Sequence, residues 1–354
     1  MKNKKVLLSL FLLVQLLVLK TLSYFPAFVE HYYSNGIYPY LSKFLRFTFG
    51  KIPFSFGDIL YTIVILAVIH WFWKTRKNWK SNLKNQILSV TSFISVGYFL
   101  FYFLWAINYN RVPLYEKMNL NKDYSEAELL SFTEKLISKT NSIQVSITSD
   151  TTQKVVIPYH PQQIFGKTLN GYNHLADQYD FFTYTPSSIK ASLFSTPLSY
   201  MGFSGYLNPF TNEAQVNDKI PLYQFPLTTC HEMAHQIGYA SESEANFIGF
   251  LASVKNEDIY FQYSGYINAL KYCLNIYKEY SPATFEKLIQ KINPGILKNI
   301  EESHLFWLRY NTPIEDFFKV FYDNYLKLNQ QKEGLETYAK FIGLLVNYYR
   351  NQPL

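Results

Sequence analysis

The sequence predicts a mainly α-helical protein with a small β element (α+β), in which three membrane-spanning helices precede a larger domain. Charged residues make up only 17% of the 354 residues, below the ~25% that is typical of soluble domains. Long apolar segments lie within the first 107 residues, and capped, amphipathic helical patterns dominate from residue 108 onward. We therefore divide the chain into a membrane region, 1–107, and a second domain, 108–354.

The three apolar segments cover about 6–25, 54–73 and 86–107. The third contains no charged residue and is long enough to cross a ~30 Å hydrocarbon core as a helix. The first ends its uninterrupted apolar run at Lys20, so a cleaved signal peptide competes with an uncleaved anchor. We favour the anchor because no clear small-x-small cleavage site lies near its end.

The net charge of +7 is unevenly distributed along the chain. Residues 1–110 carry 12 Lys/Arg against two acids, whereas the rest carries 21 against 24. The basic excess thus belongs to the apolar third, which indicates membrane topology and a lipid bilayer partner rather than nucleic-acid binding.

Five Lys/Arg crowd the loop 74–85, and the positive-inside rule places that loop and the Lys-rich N-terminus in the cytoplasm. Lys43, Arg46 and Lys51 in the 25–55 loop oppose this orientation at lower density. The predicted location is the cell (inner) membrane, multi-pass, with the second domain on the extracytoplasmic, periplasmic side.

The second domain has recognisable helix and strand signals. Ser125 and Glu128 form a capping box for a helix over 126–140. We further expect a short hairpin at 143–158, a helix at 162–182, strands and turns over 190–218, and several amphipathic helices over 258–350.

The segment HEMAH carries the candidate chemistry. On a helix, His231 and His235 lie one turn apart on the same face, so both imidazoles can bind one zinc ion. Glu232 lies beside the first ligand and is placed to act as general base on a water whose pKa zinc would lower. The spacing therefore predicts a zinc metallohydrolase site, and we favour a peptidase.

The flanking residues support a helix there. Pro226 suits the first turn, Thr228 or Thr229 can cap nearby, and Gly238 suits a left-handed stop. A second helix opens at Ser241, which has capping-box spacing to Glu244.

In that capping box the Glu244 side chain would bond to the Ser241 backbone, which leaves Glu242 as the preferred third metal ligand. Glu244 stays the alternative ligand. Glu242-x-x-Ala245-Asn246 also resembles the E-x-x-A/S-D element of thermolysin-like zincins. The resemblance implies Glu242 as a metal ligand and Asn246, in place of Asp, as the partner of a ligand histidine. The metzincin pattern fails because Ser241 stands where its third histidine would be.

Most of the chain resembles a bacterial family of uncharacterised membrane proteins with a zincin-like domain after three N-terminal spans. The resemblance rests on NYNRVPL (108–114), GFSGYLNPFTNEAQVN (202–217) and HEMAHQIGYASESEANF (231–247). It implies a gluzincin-like metallopeptidase with Zn²⁺ as cofactor and a peptide or protein substrate of unassigned identity. In zincins an edge strand binds the peptide backbone, and Leu198–Tyr206 and Glu213–Val216 are the candidates here.

Several alternatives stay open at this stage. A catalytically inactive membrane sensor or scaffold with a zincin fold is the alternative function, and a soluble lipid- or nucleic-acid-binding protein is a third. The sequence does not decide the oligomeric state or whether Cys230 and Cys273 pair. Four residues are candidate stabilisers of an oxyanion: His304, Arg309, Tyr325 and Tyr338.

Overall fold

The structure is a computed structural model that describes residues 2–329, 331 and 338–354. The helices of the first 107 residues are α1 (Lys2–Leu22), α2 (Pro26–Phe28), α3 (Tyr38–Gly50), α4 (Phe56–Thr75) and α5 (Leu83–Leu104). Three of them, α1, α4 and α5, are long and apolar enough to cross a membrane, and most of their side chains are exposed. They match the three predicted segments with bounds shifted by a few residues.

Small polar side chains join α1 to α5. The Ser9 and Thr91 hydroxyls lie 2.6 Å apart, and the Gln15 amide donates to the Ser95 hydroxyl at 3.0 Å. Such residues allow close approach and hydrogen bonding between helices in lipid. The first apolar segment is therefore paired with the third along much of its length.

The connection between α1 and α4 is helical rather than an open loop. A π-helical stretch, Val29–Ile37, joins α2 to α3. Its residues and α3 form a small apolar cluster with Trp105 and Leu207. Arg46, which the sequence suggested as an opposing topological charge, is buried and donates to the Pro186 carbonyl at 3.1 Å. This connection thus packs against the second domain.

The second domain opens with α6 (Leu114–Lys117), α7 (Glu126–Thr148), α8 (Pro161–Gln178) and α9 (Ser195–Tyr200). The capping box is confirmed, because the Ser125 hydroxyl accepts from Glu128 N while the Glu128 carboxylate accepts from Ser125 N.

The hairpin predicted at 143–158 is wrong. Buried positions 136, 137, 140, 143 and 144 recur at helical spacing, so burial of one face outweighs the β-branched composition and α7 continues to Thr148.

A three-stranded sheet follows: β1 (Ile189–Ala191), β2 (Gly205–Asn208) and β3 (Glu213–Val216). The order is β1-β3-β2, with β1 parallel and β2 antiparallel to β3. The extended character predicted for 190–218 is confirmed only in part, because α9 lies within it. Both candidate edge segments need correction: β3 is the central strand, and 198–206 is mostly the end of α9 and a turn. The edge strands are β1 and β2, and β2 begins at Gly205, inside the first candidate segment.

Seven helices complete the described chain. They are α10 (Phe225–Gln236), α11 (Glu242–Val254), α12 (Ile259–Tyr280), α13 (Pro282–Ile289), α14 (Pro294–Tyr310), α15 (Pro313–Leu328) and α16 (Tyr338–Tyr348). The amphipathic helices expected beyond residue 258 are present. Fully buried Phe225, Phe247, Phe250, Phe261 and Phe341 contribute to one main core, so α10 and α11 run through its interior.

Candidate metal centre

The helix that carries HEMAH is α10. Pro226 lies in its first turn as expected, and Gly238 has the left-handed conformation (φ +90°) that ends the segment. The predicted threonine cap is wrong, because Gln224 is at the N-cap position and Thr229 instead donates to the Phe225 carbonyl. A short 3₁₀ turn, Leu222–Gln224, leads directly into α10 and removes the need for a side-chain cap.

Residues from the membrane region bind the last carbonyls of α10. The Trp105 indole donates to the His235 carbonyl at 3.0 Å. Tyr38 and Ser42 of α3 both donate to the Gln236 carbonyl, at 2.9 and 2.8 Å. The final carbonyls of a helix have no partner within the helix, so these bonds satisfy them and fix the end that carries His235.

A second layer of bonds surrounds this end. The Gln236 side chain accepts from the Tyr184 hydroxyl and donates to the carbonyls of Ser188 and Asn212. Together with the bonds to the carbonyls of α10, these contacts fix the position of that helix beside the three-stranded sheet.

Three side chains converge beyond α10. The Nε2 atoms of His231 and His235 are 3.1 Å apart. Glu242 places Oε2 3.3 Å from Nε2 of His231 and Oε1 3.6 Å from Nε2 of His235. Among the described residues this is the group of His, Cys, Asp and Glu side chains close enough to hold a metal ion.

The spacing of these atoms fits a tetrahedral ion. Zinc ligands at ~2.0–2.1 Å in tetrahedral directions lie about 3.4 Å from one another. The observed separations of 3.1, 3.3 and 3.6 Å bracket that value. The set also has the composition of a zinc site, two imidazoles and one carboxylate, and leaves a fourth direction for water or substrate.

The other ring nitrogen of each histidine has an oriented partner. His235 Nδ1 donates to the Tyr239 carbonyl at 2.7 Å, and His231 Nδ1 lies 2.9 Å from Asn246 Oδ1. A carbonyl only accepts, so His235 carries its proton on Nδ1 and directs the Nε2 lone pair into the site. Asn246 thus lies where the sequence placed it, beside a histidine of the motif.

Burial and charge adjust the pKa values of these groups. Burial lowers the pKa of His235 to about 4, which keeps its imidazole neutral. Burial alone would raise the pKa of Glu242, but attraction to the two imidazoles in their protonated forms and bonds from His231 and Tyr322 lower it to about 2. Glu242 is therefore an anion and His235 a neutral base, the protonation states that metal ligands need.

Two acids at the start of α11 have separate positions. Glu242 faces the two histidines, whereas Glu244 Oε1 accepts from the Leu114 backbone N–H at 2.6 Å. The predicted capping box between Ser241 and Glu244 is wrong, because Ser241 makes no side-chain cap bond. Glu244 does have a structural partner, but that partner lies 130 residues away in the chain, so the alternative ligand is not in the cluster.

Glu232 points toward β2 and is nearly enclosed. Its exposed fraction is 4%, and its Oε2 has no hydrogen-bond partner within the described residues. A Cβ added at Gly205 would come within 2.6 Å of Glu232 Oε1, so glycine permits this close approach. Burial raises the pKa of Glu232 to about 8. With this pKa, the carboxyl is largely protonated at neutral pH unless a cation lies beside it.

Sequence reasoning missed Tyr322. Its hydroxyl donates to Glu242 Oε1 at 2.6 Å. Tyr325, one turn later on α15, stacks on Tyr322 and bonds to the Tyr109 hydroxyl at 3.1 Å instead. Tyr322 and Glu242 lie 80 residues apart in the sequence, so no local sequence pattern connects them. The only signal was the presence of tyrosines in this helix. Two of the other oxyanion candidates, His304 and Arg309, are exposed, and the Tyr338 side chain lies outside the described part.

The two cysteines do not pair. Cys230 and Cys273 are both free and fully buried. Burial raises the pKa of each thiol to about 12, so both stay protonated and neither has the thiolate form that binds metal.

Comparisons with known proteins give a family but no function. Neither the curated proteins nor the solved structures contain a match to the chain, and the zincin-like fold therefore stays a prediction. One family model, described as a protein of unknown function (DUF3810), matches residues 33–346. That range includes α4, α5 and every residue of the candidate centre. The chain therefore belongs to the DUF3810 family.

Proposed function

We propose that this protein is a membrane-bound, zinc-dependent hydrolase that cleaves peptide bonds. The observation that carries the proposal is the spacing of the ligand atoms of His231, His235 and Glu242, which lie 3.1–3.6 Å apart. When bound there, zinc would supply Lewis acidity and lower the pKa of a water in the open position.

Glu232 is the proposed general base. Its Oε2, which has no hydrogen-bond partner in the part of the chain that the structure describes, can accept the proton of the attacking water and return it to the leaving amine. The pKa of about 8 that burial gives this carboxyl would fall beside a divalent cation. A carboxyl whose pKa lies near the working pH is effective in both directions of proton transfer.

The class of substrate is argued from the sheet. Strand β2 pairs with β3 and brings Gly205 against Glu232. An extended peptide can bind to an edge strand through its backbone, which would bring its carbonyls near the general base. We therefore favour a peptide or protein substrate over a small ester or amide.

The proposed topology follows the charge distribution. The N-terminus and the loop 74–85 would be cytoplasmic, and the candidate centre would face the extracytoplasmic side of the cell membrane. The pairing of α1 with α5 favours an uncleaved anchor. Reporter fusions test this: one after Asn110 should behave as extracytoplasmic and one near Lys80 as cytoplasmic, and the reverse pattern would contradict the topology.

The decisive experiment compares variants of the full-length protein in lipid nanodiscs. Zinc content is measured by elemental analysis, and turnover is measured on a library of internally quenched peptides. Glu232→Gln should keep one zinc per chain and lose ~10²–10⁴-fold in rate, the range for general acid–base catalysis. His231→Ala should lose both zinc and turnover.

Two glutamates on α11 provide a matched control. Glu242→Gln should lose zinc, whereas Glu244→Gln should keep it, because a Gln amide oxygen can still accept from Leu114 N. Full activity in Glu232→Gln would refute the mechanism. Stoichiometric zinc without turnover on any peptide would instead favour the sensor or scaffold alternative.

A further inference from the structure

Helix α15 exposes an unusual number of large apolar side chains. They are Ile314, Phe317, Val320, Phe321 and Leu328, with exposed fractions between 52% and 80%. Leu305 and Leu308 of the preceding helix are exposed nearby in sequence. Elsewhere beyond residue 107, within the described part, exposed large apolar residues are scattered singly along the chain. A concentrated apolar surface of this kind marks an interaction site.

The residues of α15 fall on three faces when placed at 100° per residue. The five exposed apolar residues occupy one arc, which we name the apolar face. Tyr322, Leu326 and the buried Glu315 occupy a second arc, toward the protein. The charged residues Asp316, Lys319, Asp323 and Lys327 fall between these arcs, on the remaining side. A helix with separate protein, water and apolar faces fits a boundary between three environments.

The apolar face is continuous with a candidate membrane span. At the end of α15, Asn329 accepts a hydrogen bond from the Tyr102 hydroxyl of α5 at 2.6 Å. The Phe101 ring of α5 also contacts the Tyr325 ring, with centroids 6.3 Å apart. Phe99 and Phe103, in the same final turns of α5, are exposed. The C-terminal end of α15 therefore lies against the end of a helix whose surroundings are lipid.

We propose that α15 is an interfacial helix whose apolar face lies in the bilayer that holds α1, α4 and α5. Amphipathic helices with Phe and Leu on one face bind at the boundary between the headgroups and the acyl chains, through buried apolar area and attraction to anionic lipids. Its charged residues include three acids and two lysines, so apolar area drives the insertion and anionic lipid is not needed.

This position has a consequence for the candidate centre. The face of α15 opposite to the lipid carries Tyr322, whose hydroxyl reaches Glu242. The membrane surface thus supports one wall of the centre, and removal of the bilayer exposes the other side of that wall to water. The inference concerns the placement of α15 and holds whether or not the centre hydrolyses a bond.

The test uses the full chain with one dye-labelled cysteine, reconstituted in phosphatidylcholine nanodiscs. An environment-sensitive dye is attached in separate variants at Phe317→Cys and Phe321→Cys, so that the test can still be made if one of the two variants misfolds. The water-facing control is Asp316→Cys, and Tyr280→Cys, 77% exposed on α12, is a distant control. The native cysteines are fully buried and should remain unlabelled. Thermal unfolding checks each variant.

We expect lipids brominated on their acyl chains to quench the dye at 317 and 321 several-fold more than at 316 or 280. Aqueous iodide should show the reverse order, and adding anionic lipid should change neither. Equal quenching at 316 and 317 would overturn the proposal. So would shielding of 317 that persists in detergent and grows with protein concentration, because a second copy would then cover the apolar face.

Discussion

The candidate centre is built differently on its two sides. On the side of the membrane region, the support side, Trp105, Tyr38 and Ser42 bind backbone carbonyls at the end of α10. From α15 the Tyr322 hydroxyl reaches the Glu242 carboxylate, and just beyond that helix Gln331 Oε1 accepts from the Glu242 backbone N–H at 3.2 Å. Bonds to backbone fix a helix in place, whereas one side-chain bond can be lost with little rearrangement. The difference implies that the support side determines stability and that the α15 side adjusts the centre.

The largest effect should come from Gln236→Leu on the support side. The change removes the acceptor of the Tyr184 hydroxyl and the amide donor to the Asn212 carbonyl, and it takes one of two donors from the Ser188 carbonyl, which keeps its bond from Ala214 N. Each buried polar group left unpaired costs ~1–3 kcal/mol, so we expect a loss of several kcal/mol in the free energy of unfolding. Chemical denaturation in detergent measures it. Gln290→Leu, at an exposed position, is the control, and equal stability of the two variants would remove the distinction between the sides.

The next effect concerns acid sensitivity of the support side. Arg111 donates to both oxygens of Glu30 and also to the Gly238 carbonyl after α10. Burial alone would raise the pKa of Glu30, but bonds and charges of Arg111 and Lys117 lower it to about 2 from 4.5. A depressed carboxyl pKa stabilises the fold above pH 4.5, and that contribution is lost as the pH falls toward 2.

The lowered pKa of Glu30 corresponds to a contribution of about 3 kcal/mol to the free energy of unfolding at neutral pH. We therefore expect the unfolding temperature of the wild-type chain to fall as the pH decreases from 5 to 3, and Glu30→Gln to be less stable at pH 7 with a flatter pH dependence. Glu286→Gln, an exposed acid on α13, serves as control. Parallel pH profiles for wild type and Glu30→Gln would rule out this linkage.

Asn246 lies between the two sides and should have an intermediate effect. Loss of an outer partner of a ligand histidine lowers metal affinity by ~10–100-fold, and we expect Asn246→Ala to weaken zinc binding in that range. Asn246→Asp should restore affinity or exceed it, because a carboxylate is a stronger acceptor for His231 Nδ1. Competition with a chromogenic chelator measures both. An alanine variant with unchanged affinity would show that this contact does not orient the histidine.

Local sequence was enough to predict the part of the centre that lies within one helix pair. His231 and His235 follow from helical spacing, and Glu242 and Asn246 lie within 15 residues of the first histidine. The support side could not be predicted in this way. Tyr38 lies nearly 200 residues from the carbonyl it binds, and no period in the sequence encodes such a contact.

The errors have the same origin. Composition near 143–158 indicated strands, but the burial of Ile143 and Gln144 against the core decides for helix. Glu244 was expected to bond to Ser241, yet its partner is Leu114 N. In both cases a contact with residues distant in the sequence outweighs the local preference, for strand in one case and for a capping box in the other. Such contacts are visible only in the folded chain.

The smallest effect should come from Tyr322→Phe on the α15 side. A single hydrogen bond to a charged group contributes ~1.5–3 kcal/mol at most, and usually less when the ring and its packing remain. We expect zinc affinity to fall by about tenfold or less, with unfolding temperature nearly unchanged. Tyr325→Phe is the matched control, because its hydroxyl bonds to Tyr109 and not to the carboxylate. If Tyr322→Phe lowered the unfolding temperature as strongly as Gln236→Leu, α15 would be part of the support and the proposed asymmetry would be wrong.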